Sequence, residues 1–306
     1  MSEIVLEVEK LVKDYGSFRA VDGISFTLPR GKIIGFLGPN GAGKTTTIQM
    51  LLGLTLSNGG TIRYFGKDFA THQFESLQRI NAASAFNTLQ GRITVFENLV
   101  VFSHLYGVPQ ARKKITGLLE RLEIPDLAST LYQNLSSGQK TRVNLIKSLL
   151  NDPEILLMDE PTASLDPDIA DKTLSLIEEL RREREISILY TSHNMNEVAR
   201  VCDEVIFLDH GKIVAQDTPT IITKQFSSAS LCLIITNGME QAKEYLRANG
   251  RTISSSSAIR LEVPCSESDI PELLIGLKHA GAEIDDIEIK KPTLEDVFLQ
   301  FARNRV

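Results

Sequence analysis

The sequence predicts an α/β protein with a largely parallel sheet and helices on both faces, joined to an antiparallel β-subdomain, a helical subdomain and a small C-terminal α/β domain. Three observations lead there. Short apolar runs at 31–37, 154–158 and 186–191 read as buried parallel strands, each followed by a stretch of helical length. Residues 4–9 and 24–28 instead alternate polar with apolar, the pattern of antiparallel strands with one wet face. Near residue 225 the chain turns serine-rich, and a fresh alternation of strands and helices begins. The boundaries expected are 1–225 for the first domain, with its helical subdomain at about 86–150, and 226–306 for the second.

In order, Pro29-Arg30-Gly31 turns the chain out of the antiparallel segment into the first buried strand. That strand runs into Gly38-Pro39-Asn40-Gly41-Ala42-Gly43-Lys44-Thr45-Thr46, which fills the pattern G-x-x-x-x-G-K-[ST] between a strand and a helix. Glycine lets backbone N–H groups approach a phosphate, and the following helix start adds a partial positive charge. By place in the motif, Lys44 reaches the β- and γ-phosphates of a nucleotide and the Thr45 hydroxyl holds Mg²⁺. Upstream, Tyr15 in Lys13-Asp14-Tyr15-Gly16 stands beside a glycine turn, placed to stack on the base. Residues 57–60 turn into a further strand at 61–65.

From about 75 to 150 the period becomes helical. One segment, 96–106, stops at Gly107 and Pro109; another, 113–122, stops before Pro125. Leu135-Ser136-Ser137-Gly138-Gln139 opens a helix whose apolar face is Val143, Ile146, Leu149 and Leu150, with Ser136 or Ser137 suited as N-cap. The strand at 154–158 then ends in Asp159-Glu160-Pro161. Asp166-Pro167 reads as a helix opening, a capping carboxylate with proline at the first helical position. The strand at 186–191 leads into Ser192-His193-Asn194, and 205–208 with 212–215 make a hairpin about His210-Gly211. The last 80 or so residues read strand, helix, strand, helix, strand, helix. Ile259, Leu261 and Val263 mark one of those strands; Ile284, Ile287 and Ile289 mark another with an offset.

Composition sets bounds on function. A 42% hydrophobic and 24% charged chain is ordinary for a globular protein, and a net charge of -6 gives no basic footprint for nucleic acid. Cys202, Cys232 and Cys265 are too few and too scattered for a disulfide framework or a zinc cluster, and read as reduced core thiols. The N-terminus has no basic and apolar leader, and no run approaches 18 apolar residues, so no membrane span is expected.

Four more motifs appear in one order. Leu135-Ser136-Ser137-Gly138-Gln139 resembles the LSGGQ signature of ABC ATPases; 155–160 resembles a Walker B strand followed by a glutamate; Ser164-Leu165-Asp166 resembles the D-loop; His193 resembles the switch histidine. With Tyr15 as the A-loop aromatic, residues 1 to about 225 resemble the ATP-binding subunits of ABC transporters. The resemblance implies the ABC ATPase fold, ATP and Mg²⁺ as ligands, Asp159 with Thr45 at the metal, Glu160 as general base and His193 at the γ-phosphate. It also implies that Ser136, Ser137, Gly138, Gln139 and Asp166 act across a head-to-tail dimer, each signature closing over the partner's ATP. Asp159 at a strand's carboxyl end suits this, because ligands gather there in open α/β sheets. Glu160, one residue on, is expected to point to the other side, toward an in-line water.

One motif departs from the family. The resemblance implies a Q-loop glutamine at the end of a strand near 80–86, where an ungapped alignment puts Ala85; Ser84, Asn87 and Gln90 are the candidate replacements. The final Pro292-Thr293-Leu294-Glu295-Asp296-Val297-Phe298-Leu299 resembles the tail of ATPases paired with ABC-2-type permeases, mostly exporters of drugs, antibiotics or polysaccharides. Thr293 is suited as N-cap there, with Asp296 at the capping-box position. The expected partners are a second ATPase subunit, identical or paired, and a separate polytopic permease that holds the chain at the cytoplasmic face of the cell membrane. Ribosome-associated members carry two ATPase halves, whereas this chain has one P-loop. DNA-repair members insert a long coiled coil, and only about 94 residues separate Lys44 from Gly138. An iron–sulfur assembly scaffold fits poorly with the C-terminal tail.

Overall fold

A computed structural model describes residues 3–84, 89–163, 165–226 and 229–303. The chain divides into two compact units, Met1–Pro219 and Thr220–Val306. The first opens with β1 (Ile4–Tyr15), β2 (Phe18–Pro29) and β3 (Ile33–Leu37), then α1 (Lys44–Leu51), β4 (Gly59–Tyr64), β5 (Lys67–Asp68), α2 (Gln73–Arg79) and β6 (Ile80–Ser84). It continues with α3 (Val95–Leu105), α4 (Ala111–Arg121), α5 (Ser137–Leu149), β7 (Ile155–Asp159), α6 (Pro167–Arg184), β8 (Ser187–Thr191), α7 (Met195–Val201), β9 (Glu204–Asp209) and β10 (Lys212–Asp217).

Two sheets organise this unit. The alternating N-terminal segments pair antiparallel as expected, in the order β2-β1-β4-β5. The main sheet runs β10-β9-β3-β8-β7-β6, parallel except for the β9–β10 hairpin. All five residues of β3 and all five of β8 are buried, which is why both read as continuous apolar runs. Residues 80–84 form the edge strand β6 of this sheet, in register with β7, the strand that the family resemblance places there although the periodicity from about 75 onward reads as helical. The hairpin turn is as read: His210 and Gly211 both have positive φ, 46° and 77°, the requirement of a two-residue turn that matches strand twist. The helical region contributes α3, α4 and α5; α3 starts in a capping box between Thr94 and Glu97.

α8 (Pro219–Phe226) carries the chain into the second unit, which holds β11 (Ser230–Asn237), α9 (Met239–Ala248), β12 (Ser255–Ser256), β13 (Arg260–Pro264), α10 (Ile270–His279), β14 (Glu283–Lys290) and α11 (Leu294–Arg303). The sheet order β12-β13-β11-β14, antiparallel throughout, makes this a βαββαβ split motif followed by a helix. Its core joins Leu231, Leu233, Leu261 and Val263 of the sheet to Ala242, Leu246, Leu273 and Leu277 of α9 and α10. Ser254 to Ser257, expected as a solvated loop, instead carries the short β12 paired with β13; two serines carry no apolar period to mark it. Ile259 lies outside β13 and is exposed, so the alternation there begins one residue later than expected. The offset of Ile284 against Ile287 is a register shift: Ile235 faces Ile284 while Ile234 faces Asp286, leaving Asp285 as the extra residue. α11 begins in the expected box, the Thr293 backbone N–H and hydroxyl both donating to Asp296 Oδ2 at 2.8 Å.

The three cysteines are free and buried. No described helix is long and apolar enough to cross a membrane. Leu157 sits in the middle of β7, wholly buried in the core shared by the two sheets of the first unit. Leu157→Ala is expected to lower unfolding stability by about 2–5 kcal/mol, measured by denaturant titration.

Candidate nucleotide site

Parallel pairing places three strand ends at one edge. Leu37 of β3 leads into the glycine loop, β7 ends at Asp159, and β8 ends at Thr191, just ahead of His193. Between them lies a cleft of about 520 Å³, lined by Asn40 to Thr46, by Asp159, Glu160 and His193, and by Tyr15, Phe18 and Ala20 of the β1–β2 hairpin.

The loop needs its glycines. At Gly38 φ is 147°, and a Cβ would meet the Leu208 carbonyl oxygen at 2.3 Å; at Gly43 φ is 104°, and a Cβ would meet the Ala20 carbonyl oxygen at 2.6 Å. Neither position admits a side chain, so the backbone alone forms the cradle. Consecutive turns of this kind point N–H groups inward and make an anion-binding concavity at the start of α1. Lys44 folds back over the loop, its Nζ donating to the carbonyls of Gly38 and, at 3.3 Å, Pro39. This geometry fits a polyphosphate.

Asp159 and Glu160 both line the cleft, contrary to the expectation that they diverge. The reason is backbone: Glu160 has φ 56°, so the strand alternation breaks immediately after Asp159. Thr191 holds this bend. Its hydroxyl donates to Asp159 Oδ1 at 2.7 Å, and its hydroxyl and carbonyl oxygens accept from the Glu160 N–H at 3.1 and 3.2 Å. His193 Nε2 lies 2.9 Å from Glu160 Oε1. Burial pushes the Glu160 carboxyl above its ordinary value; His193 opposes that shift and Asp159 adds to it. A carboxylate made more basic beside a histidine is equipped to accept a proton.

The oxygen donors Thr45 and Asp159 share the cleft. Among the described residues no group of three or more His, Cys, Asp or Glu could enclose a metal by itself. Two oxygen donors suit Mg²⁺, which keeps waters and takes its remaining ligands from phosphates.

The structure brings together Tyr15, Asn40 to Thr46, Asp159, Glu160 and His193, with Gly38 and Pro39 immediately behind the loop. Lys13 Nζ stands 5.0 Å from the centre of the Tyr15 ring. It does not bring in Ser136, Ser137, Gly138, Gln139 or Asp166, none of which lines the cleft. Ser136 proves to be the N-cap of α5: its hydroxyl accepts from the Gln139 N–H, and Gln139 Oε1 accepts from the Ser136 N–H at 2.9 Å. Ser136 and Ser137 are exposed. Asp166 occupies the N-cap position of α6, but its side chain makes no capping hydrogen bond, so the expected carboxylate cap is absent there. Of the Q-loop candidates, Ser84 pairs in register with Asp159 on the adjacent strand, and Gln90 is exposed, its backbone held by Asn98. Ala85 and Asn87 lie outside the described residues, as does Ser164 of the D-loop.

Sequence reasoning missed Phe18, Thr191 and Glu197. Phe18 follows Tyr15 by three residues across a glycine turn, and its 61% exposure beside the glycine loop marks it. Thr191 reads only as the last residue of a buried strand.

The family described as "ABC transporter" matches residues 21–163. The chain is 32% identical over 306 residues to "Nod factor export ATP-binding protein I" of Rhizobium sp. (strain N33), covering 98% of this chain and 97% of that one. It is 29% identical over 304 residues to "Linearmycin resistance ATP-binding protein LnrL" of Bacillus subtilis (strain 168), covering 96% and 97%. Among solved structures, an ATP-binding subunit of an ABC transporter superposes with TM-score 0.68 at 27% identity, over 72% of this chain and 93% of the other.

Lys44→Ala is expected to remove measurable nucleotide binding in a calorimetric titration, since the ammonium that lies over the loop is lost. Gly43→Ala should do the same and cost about 2 kcal/mol or more of unfolding stability, because the added Cβ meets backbone.

Proposed function

Because the chain belongs to the ATP-binding subunits of ABC transporters, and is an ATPase, we propose that it powers export through a separate ABC-2-type membrane permease by ATP-driven head-to-tail pairing of two such subunits. The observation that carries the pairing is the division of the motifs. The glycine loop, Asp159, Glu160 and His193 share one cleft, while the capped start of α5 presents Ser136 and Ser137 to solvent instead of to that cleft. A capped helix start is itself an anion site, and a second subunit's nucleotide gives it something to bind. Export is supported by the two relatives whose names speak of export and resistance, and by the capped α11 that carries the ABC-2-type tail.

In this reading the nucleotide's phosphates replace the Gly38 and Pro39 carbonyls as acceptors for Lys44, and Tyr15 stacks on the base. Mg²⁺, held through Thr45 and Asp159, would neutralise charge on the phosphates. Glu160 takes the proton of the attacking water at a carboxylate oxygen, and His193 holds that carboxylate from the other side at 2.9 Å. Ser84, beside Asp159, is the replacement we assign for the Q-loop glutamine. The net charge of -6 agrees with a role away from nucleic acid, and in this reading the permease holds the chain at the cytoplasmic face of the membrane.

Glu160→Gln is expected to retain ATP binding, to lower turnover by about 10²–10⁴-fold, and to accumulate an ATP-bound dimer in size-exclusion chromatography. Normal turnover would remove Glu160 as the base. Gly138→Asp sets a charge against the partner's γ-phosphate; hydrolysis at the wild-type rate would contradict pairing across α5. Affinity recovery from membranes should bring down a polytopic protein, whereas ribosomes or a soluble scaffold would overturn the export reading.

A further inference from the structure

Glu197 lines no part of the nucleotide cleft, yet it is the most heavily hydrogen-bonded acidic side chain near it. It lies in the first turn of α7 and is 8% exposed. Buried glutamates are normally paired with a cation. Among the described residues no Lys, Arg or His forms an ion pair with this one; four neutral groups donate to it instead. Thr162 Oγ1 donates to Oε2 at 2.6 Å, Tyr190 OH at 2.8 Å and Ser192 Oγ at 3.0 Å, while Asn194 Nδ2 donates to Oε1 at 3.2 Å. Three of the four meet Oε2 and one meets Oε1, so both carboxylate oxygens are held by neutral donors.

The donors are placed to matter. Thr162 follows Glu160 by two residues; Ser192 and Asn194 flank His193. Ser192 Oγ also accepts from the Asn194 N–H at 3.0 Å, and Asn194 Oδ1 accepts from the Asn196 N–H at 3.1 Å, so the His193 turn is closed on itself as well as on Glu197. One carboxylate therefore ties together the loop that leaves Glu160, the turn that carries His193, and β8. Capping alone would not need it, since Asn194 already caps α7.

We infer that Glu197 is a positioning residue for hydrolysis: its buried carboxylate holds the Glu160 and His193 loops so that the two side chains meet at 2.9 Å. This rests on the reading of Glu160 and His193 as the working pair. The geometry of such a pair tolerates little error, because a displacement of about 1 Å costs about a hundredfold in rate.

The test measures ATP hydrolysis and ATP affinity of the full chain for Glu197→Gln, His193→Ala and the double variant. Glu197→Gln keeps the size of the side chain but turns an amide N–H₂ toward the donors. It should lower kcat by about tenfold or more and leave ATP affinity within about twofold, and the double variant should be no slower than His193→Ala alone by more than about twofold. Wild-type turnover in Glu197→Gln beside an impaired His193→Ala, or losses that multiply in the double variant, would overturn the inference alone. Wild-type turnover in His193→Ala would sink the pair and the inference with it. If Glu197→Gln does not fold, Thr162→Ala and Ser192→Ala carry the test, each expected to lower kcat by about fivefold without loss of affinity. Unchanged kcat in both would reject the role.

Discussion

Strands β3, β7 and β8 run parallel and are buried up to the partly exposed Asp159 that ends β7, so their carboxyl ends reach the same edge of the sheet, and the three segments that leave them have nowhere else to meet. Everything chemical in the first unit depends on that pairing. The glycine loop, the Asp159–Glu160 bend and the His193 turn are more than a hundred residues apart in sequence at the extremes, yet line a single cleft. No local propensity could gather them. The parallel ladder does it by register, with Gly35 facing Tyr190 and Asp159 facing Thr191.

The edge so built is costly. Glu160 is held in a left-handed backbone conformation and largely removed from water, and a second carboxylate, Glu197, is buried nearby and, among the described residues, held by neutral donors alone. Each feature works against stability in isolation. Thr191 and the four donors around Glu197 offset that cost through hydrogen bonds, which is also what gives the bend and the turn a single geometry. Stability and function thus draw on the same contacts, a common state for a site whose charged groups must be aimed before substrate arrives.

The second unit follows a different economy. Its βαββαβ arrangement buries an apolar core between one sheet face and two helices, and its signals are weaker because its strands are amphipathic and irregular. The bulge that leaves Asp285 as the extra residue displaces the isoleucine pattern of β14, and Ile287 and Ile289 remain nearly half exposed at the sheet edge. The alternation of strand and helix was legible there; the two-residue β12 and the true start of β13 were not, since two serines and an exposed Ile259 carry no period.

By itself the sequence determined the buried parallel strands at 31–37, 154–158 and 186–191, several helical segments, the P-loop with Lys44 and Thr45, and the presence of Asp159, Glu160 and His193 at strand ends. These are local properties: apolar runs, turn residues and fixed motif spacings. Tertiary structure alone decided that Asp159 and Glu160 face the same cleft, because that follows from one backbone angle held by Thr191. It also decided that Asp166 forms no side-chain cap, that the Ser136–Gln139 turn stands clear of the cleft lined by the glycine loop, and that Glu197 hydrogen-bonds to both the segment after Glu160 and the turn that carries His193. Such facts depend on which groups lie within about 3 Å after folding, a distance that residues far apart along a chain do not encode until the sheet has brought them together.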